Sequence, residues 1–290
     1  MTLYENLVSK NPMTIEIRRA TRRYLSFTGA NGNVTFGLLL GIILYAILVL
    51  ITVNQRGNIH PKYVILSIHL FVAAVIAPMT LHASIAGERE RRSWDMLMVA
   101  PVTHAQVVVG KLLGGFAVQG ALAVAMLLPT LIAMLTFEGD DKLTLYGLLR
   151  LELVILASGA FCCALTMLIS ARVKRAFVSL GVSFTMLLLL FGFLPMMLAA
   201  GASGGGPEMQ LLYYGWHPVY ALTEIDGIRW DGSGSYTLQD GGLIGWPQAI
   251  LFFAFTAIFT AWTVRTVAFA DNEVRFLPGS KRNRKKAQDS

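Results

Sequence analysis

The chain has 290 residues, 55% of them hydrophobic and 14% charged, with a net charge of +7 and a mean hydropathy of +0.59. Charged residues make up about a quarter of an ordinary soluble domain, so this composition excludes a soluble globular enzyme. Six stretches hold no Asp, Glu, Lys or Arg: 34–53, 63–86, 112–137, 153–171, 176–200 and 243–264, each 19 to 26 residues long. A helix of about 20 residues crosses a hydrocarbon core about 30 Å thick. The pattern therefore predicts an all-α polytopic membrane protein with six transmembrane helices, organised as one domain over 1–290.

Residues 1–33 are too polar, and run too long before the first apolar stretch, to read as a cleaved signal peptide. They read as an amphipathic elbow helix. Asn11 suits the N-cap and Pro12 the first helical position. Met13, Ile17, Ala20, Tyr24 and Phe27 form one apolar stripe, with Glu16, Arg18, Arg19, Arg22 and Arg23 off it. Such a helix lies in the interface with its arginines near anionic headgroups; a plain topology anchor is the other reading. The membrane domain is expected over 34–270. Gly37 and Gly41 form a GxxxG pair in the first span, as Gly110 and Gly114 do at the start of the third, and both read as helix-packing sites. His69 and His82 in the second span are 13 residues apart and so lie on different helix faces. Each is expected to bond a neighbouring helix, and no shared metal site is expected.

Between the second and third spans runs GERERRSWDMLMVAPVTHAQVVVGK, residues 87–111. Glu88, Arg89, Glu90, Arg91 and Arg92 make a dense mixed-charge patch at the membrane exit. Ser93 can cap a short helix with Asp95 in its first turn. Trp94, Leu97 and Met98 lie on one side of that turn, and Pro101 limits it. Lys111 sits about one turn inside the third span, placed to snorkel back to the surface. The predicted object is a short amphipathic helix held under the membrane by two long spans, where a soluble partner can push or pull it.

Arg150 and Glu152 stand at the start of the fourth apolar segment. Charges within a membrane are costly and often functional. The uncharged run from Leu153 is long enough to span by itself. This leaves two readings: snorkelling or pairing with a neighbouring helix near the outer end, or a role in the substrate path or gate. Cys162 and Cys163 are adjacent and support neither a metal motif nor a disulfide framework. Pro78, Pro129 and Pro195 each interrupt a span and are expected to kink it. The outer loop, 201–246, mixes Tyr213, Tyr214, Trp216, Tyr220 and Trp230 with glycines and acids, as an interfacial aromatic belt does. The tail 271–290 carries the run KRNRKK, read as solvated or lipid-bound.

Placed on alternate sides of the six spans, 19 of the 24 Lys and Arg fall on one side and 4 on the other, with Arg150 inside the fourth segment. This is the positive-inside signature, so both termini are expected in the cytoplasm. Topology and anionic lipids account for the basic surplus, and no nucleic-acid partner is needed. No segment between spans is long enough to bury a core of its own. The chain also lacks a phosphate-binding loop: Gly110-Lys111 is followed by Leu112 and preceded, at the required spacing, by Ala105. No catalytic residue, metal site or directly bound cofactor is expected, and any energy from ATP has to arrive through a partner.

The loop resembles that of the type-2 permease subunits of ATP-binding-cassette transporters. Glu88, Glu90, Asp95, Met96, Leu97, Ala100, Pro101, Val102, Gly110 and Lys111 match that family's pattern in order and spacing. Arg92-Ser93 stands where the family usually has Gly-Thr, and Trp94-Asp95 where it has Leu-Glu. His217-Pro218-Val219-Tyr220-Ala221-Leu222 is similar to the segment these permeases carry before the last span. The resemblance implies a coupling loop, 87–106, whose helix near 88–101 seats in a groove of a separate ATPase subunit. Glu88, Arg89, Glu90, Asp95, Leu97 and Pro101 are then its coupling residues. It further implies a dimer of this permease with a second copy or a sister, two ATPases that bind ATP and Mg, efflux as the direction, and the inner (cytoplasmic) membrane as the location.

Two other functions are compatible with the spans. A self-sufficient secondary transporter or channel needs ionisable groups facing a midplane cavity, or paired broken helices in inverted repeats. A non-transporting membrane assembly factor uses the inner loop for docking alone.

Overall fold

The computed structural model describes residues 14–15, 17–18, 41–49, 51, 61–94, 102–134, 145–197, 216–218, 228–230, 236–238 and 246–276. Residues 14, 15, 17 and 18 are helical, in the segment expected to form the elbow helix. Helix α1 covers 41–49 in the first apolar run. It is followed by α2 (Pro61–Leu81), the single turn α3 (Ala86–Glu90), α4 (His104–Met134) and α5 (Leu145–Arg172). Next come α6 (Ala176–Leu188) and α7 (Trp246–Phe276). Among the described residues, five helices are long and apolar enough to cross a membrane: Ser67–Glu90, His104–Ile132, Gly147–Arg172, Ala176–Met197 and Trp246–Phe269. Helix is the expected answer wherever no water is present to satisfy backbone groups.

Two elements depart from plain helix. The strands β1 (Ile228–Trp230) and β2 (Tyr236–Leu238) pair antiparallel, with Arg229 opposite Thr237, inside the loop between α6 and α7. The aromatic and glycine content of that loop predicts no strands, and most of the loop lies outside the described residues. The second departure is a π-helical turn, Leu189–Phe193, which continues α6 into helical residues 194–197. Pro195 explains it. Proline has no N–H to give the carbonyl four residues back, that of Phe191, so the ladder is broken at that level.

Helix α5 is the central post. In its most apolar stretch 83% of residues are buried, against 17% in α6 and in α7. Small residues at Ala157, Gly159, Ala160, Cys162, Cys163 and Ala164 let neighbours come close to it. Phe161 projects into an aromatic layer, with ring centroids 5.4 Å from Phe252, 5.6 Å from Phe259 and 6.1 Å from Phe191. Threonines on α7 are tolerated because Thr256, Thr260, Thr263 and Thr266 each donate to the carbonyl four residues earlier. Phe71, Val124, Phe177, Leu188 and Met196 are exposed, as residues facing lipid or another subunit are. Residues 82–94, 104 and 172–176 share one end of the bundle, termed the wedge end. Residues 61, 134, 145 and 197 lie at the far end.

Candidate functional site

The wedge end begins where α2 stops at Leu81. Residues 82–85 leave the helix, and α3 then restarts the chain for one turn. Ile85 and Ala86 are fully buried, so water cannot satisfy the backbone groups that the break releases. The Ser170 hydroxyl of α5 does so. It donates to the His82 carbonyl at 2.8 Å and accepts from the N–H groups of Ile85 (3.1 Å) and Ala86 (3.0 Å). One donor and two lone pairs are all that a hydroxyl offers, and all three are used.

Helix α3 ends in a Schellman arrangement. The Ser93 N–H bonds the Glu88 carbonyl at 3.0 Å and the Arg92 N–H bonds the Arg89 carbonyl at 3.1 Å. Arg92 takes a φ of 56°, the left-handed conformation that favours glycine. This is the position at which the permease pattern carries glycine. Ser93 also turns its hydroxyl back, donating to the Glu88 carbonyl at 3.2 Å. Helix resumes at Trp94.

The charged residues of α3 each reach a different span. Glu88 meets Lys111 of α4 at 2.6 Å. The Lys111 side chain is 6% exposed, so it is buried and ion-paired, where the sequence predicted snorkelling to the surface. Arg89 donates to the Ala171 carbonyl at the last turn of α5. Its guanidinium also lies 5.3 Å from the ring centroid of Trp94, which is packed in the main hydrophobic cluster. Glu90 accepts the N–H of Ala176, the first residue of α6, at 3.0 Å, and a carboxylate suits a helix N-terminus. Three of the expected coupling residues, Glu88, Arg89 and Glu90, are thus brought together, Glu88 and Arg89 half-buried and Glu90 exposed at the rim. Arg91 and Arg92 are exposed at the tip. Asp95, Leu97 and Pro101 lie outside the described residues. Helix α4 starts with a capping box, in which the Gln106 N–H bonds the Thr103 hydroxyl at 3.2 Å and the Thr103 N–H bonds the Gln106 side chain at 2.9 Å.

Towards the far end, Glu152 turns inward. Its Oε1 meets His69 Nδ1 at 2.5 Å, and His69 Nε2 meets the Tyr45 hydroxyl at 2.6 Å. That hydroxyl lies 2.7 Å from Thr130 Oγ1. One side chain from each of α1, α2, α4 and α5 is joined in this chain. Arg150 and Glu152 are both buried, and Glu152 is paired with His69 of the neighbouring helix α2. Beside the pair lies a recess of about 10 Å³ lined by His69, Gln119, Met126 and Glu152, the room needed for about one water molecule. His82 bonds the Pro78 carbonyl of its own helix at 2.8 Å, where the sequence reading expected a neighbouring helix, because the carbonyl four residues back is within its reach.

Between the two ends, Gln119 donates to the Ala73 carbonyl at 3.1 Å and accepts from Cys163 at 3.3 Å. A Cβ at Gly159 would stand 1.7 Å from its amide nitrogen, and one at Gly115 would stand 2.7 Å from Leu81. These are the close approaches inside the bundle. A Cβ at Gly41 would meet nothing within 4 Å, so the packing expected there has no counterpart among the described residues; Gly37 lies outside them. At the far end of α6, His217 Nε2 donates to the Phe191 carbonyl at 3.2 Å, the carbonyl that Pro195 leaves without its helical donor. Burial pushes the His217 imidazole down to about 4, so it is neutral at pH 7.

Sequence reasoning missed Ser170, the Glu88–Lys111 pair, the Gln119–Gly159 contact and the His217–Phe191 bond. Only the Thr103–Gln106 capping box and the Pro195 break had a signal to read. Among the described residues, no group of three or more His, Cys, Asp or Glu is placed to hold a metal ion. No curated protein matches the chain. The family model described as ABC-2 family transporter protein matches residues 46–276, which include the whole wedge and, of the far-end cluster, His69, Thr130 and Glu152. With most of its length matched, this multi-pass membrane protein belongs to the ABC-2 transporter family, the permeases of ATP-binding-cassette transport.

Proposed function

We propose that the chain is the permease subunit of an ATP-binding-cassette exporter, and that the loop 87–106 couples it to a separate ATPase subunit. One observation carries this reading: α3 sits at a chain break, presents Arg91 and Arg92 outward, and sends Glu88, Arg89 and Glu90 to α4, α5 and α6. A loop serving only to connect two spans needs no such ties to three helices. ATP and Mg belong to the partner ATPase in this scheme. The permease works as a dimer with a second copy or a sister subunit, in the cytoplasmic membrane, with both termini and the wedge end in the cytoplasm. The basic surplus on that side supports the orientation and gives anionic lipids their contact. Efflux is the direction taken from the family. Glu152 and Arg150 are read as holding the far end of the path together.

The test is affinity purification from gently solubilised membranes. A Walker-containing ATPase is expected to accompany the permease in stoichiometric amount. Arg91→Glu/Arg92→Glu, which changes only exposed side chains, is expected to lose it while the permease keeps its thermal stability. A chain that arrives alone, or that moves cargo unaided, refutes the proposal and leaves the secondary transporter or the assembly factor.

A further inference from the structure

We infer that Ser170 is a positioning residue that makes the wedge, the last turn of α5 and the first turn of α6 one moving body. The inference rests on the coupling role proposed above and says where the wedge's displacement goes. A chain break such as 82–85 is by default a hinge, because the Ile85 and Ala86 N–H groups have left the helix ladder, although His82 N–H and the Ala83 and Ile85 carbonyls keep helical bonds. Here the hinge is closed from outside. Ser170 takes up the His82 carbonyl and the Ile85 and Ala86 N–H groups at 2.8, 3.1 and 3.0 Å. Ser170, Ile85 and Ala86 are fully buried, and an unmet backbone group there is costly. The next residue of α5, Ala171, receives Arg89, so both ends of α3 rest on one turn of α5. Glu90 then bridges to the Ala176 N–H across the short turn 173–175. Force on α3 has no slack joint to act on before it reaches the α5–α6 junction. The bond from Glu88 to Lys111 reaches α4 through long side chains and constrains it less.

The experiment uses the permease–ATPase complex with spin labels at Arg91→Cys and Lys174→Cys, both exposed positions, in a background where Cys162 and Cys163 are alanine; Arg92 is kept for docking, and only labelled permease that still co-purifies with the ATPase is measured. Distances are read by electron–electron resonance in the resting complex and after trapping with MgATP and vanadate. In the parent complex the label distance is expected to stay the same in both states. With Ser170→Ala, ATP hydrolysis is expected to continue, while the distance broadens and shifts on trapping. A role confined to stability would lower the melting temperature without making the distance depend on nucleotide. A parent distance that changes on trapping overturns the inference, even if Ser170→Ala does not fold. So does a Ser170→Ala distance that is narrow and unchanged in both states. If no ATPase accompanies the permease, it is the coupling role that fails.

Discussion

Replacing Gly159 by alanine puts the close packing around α5 to a quantitative test. In an ordinary helix interior this change stabilises by about 1 kcal/mol, through propensity. Here the new Cβ would stand 1.7 Å from Gln119 Nε2 and 2.5 Å from its Cδ. An amide at the end of a flexible side chain normally swings aside. This one is 3% exposed and held by Ala73 and Cys163. Overpacking costs about 1–3 kcal/mol, and each lost hydrogen bond adds about 1 kcal/mol. Against the propensity gain, Gly159→Ala is expected to destabilise by about 2–4 kcal/mol, read by unfolding of the purified permease in detergent. In a Gln119→Ala background the obstacle is gone, and the same change is expected to become neutral or mildly stabilising. An equal loss in both backgrounds would refute the steric argument.

Two further outcomes are expected at the ends of the bundle. His217 has a folded pKa of about 4, below its ordinary 6.5. The unfolded chain therefore binds the extra proton first, and the stability that His217 contributes is full above pH 6.5 and lost as pH falls towards 4. Between pH 7.5 and 5 that loss is about 2 kcal/mol. His217→Gln keeps a donor for Phe191, and melting curves at the two pH values should show it flattening the pH slope by that amount. At the wedge, Arg92 bears a left-handed φ costing about 1–2 kcal/mol, while glycine adds about 0.5–1 kcal/mol of chain entropy. Arg92→Gly is therefore expected to stabilise the permease by about 0.5–1 kcal/mol, seen as a higher melting temperature; a lower one contradicts the strain.

Run length was enough to read the membrane class, because a hydrocarbon core admits only helices whose apolar length matches it. In the loop 87–111, mixed charge, a cap residue and a proline between two spans point to a short helix, of which only the start at Trp94 falls among the described residues. The helix limits shifted where the signals were local and polar. Helix α4 begins at His104 because Thr103 and Gln106 cap each other, and α7 runs on to Phe276, past the apolar run. The β-ribbon at 228–238 lay in a loop whose aromatic and glycine content pointed to the interface and to no particular element.

Partnership was settled elsewhere. Glu88, Arg89 and Glu90 are three adjacent letters, yet they serve three helices whose meeting points lie 23, 82 and 86 residues away. Glu152 finds His69 across 83 residues. Apolar length says that a segment crosses the membrane; it carries nothing about the rotation of that helix or its neighbour. Rotation and neighbour decide whether a serine, a glutamine or a carboxylate meets lipid or a carbonyl. That choice belongs to packing, where small residues on α5 permit contact and bring Ser170, Gln119 and Glu152 to their partners.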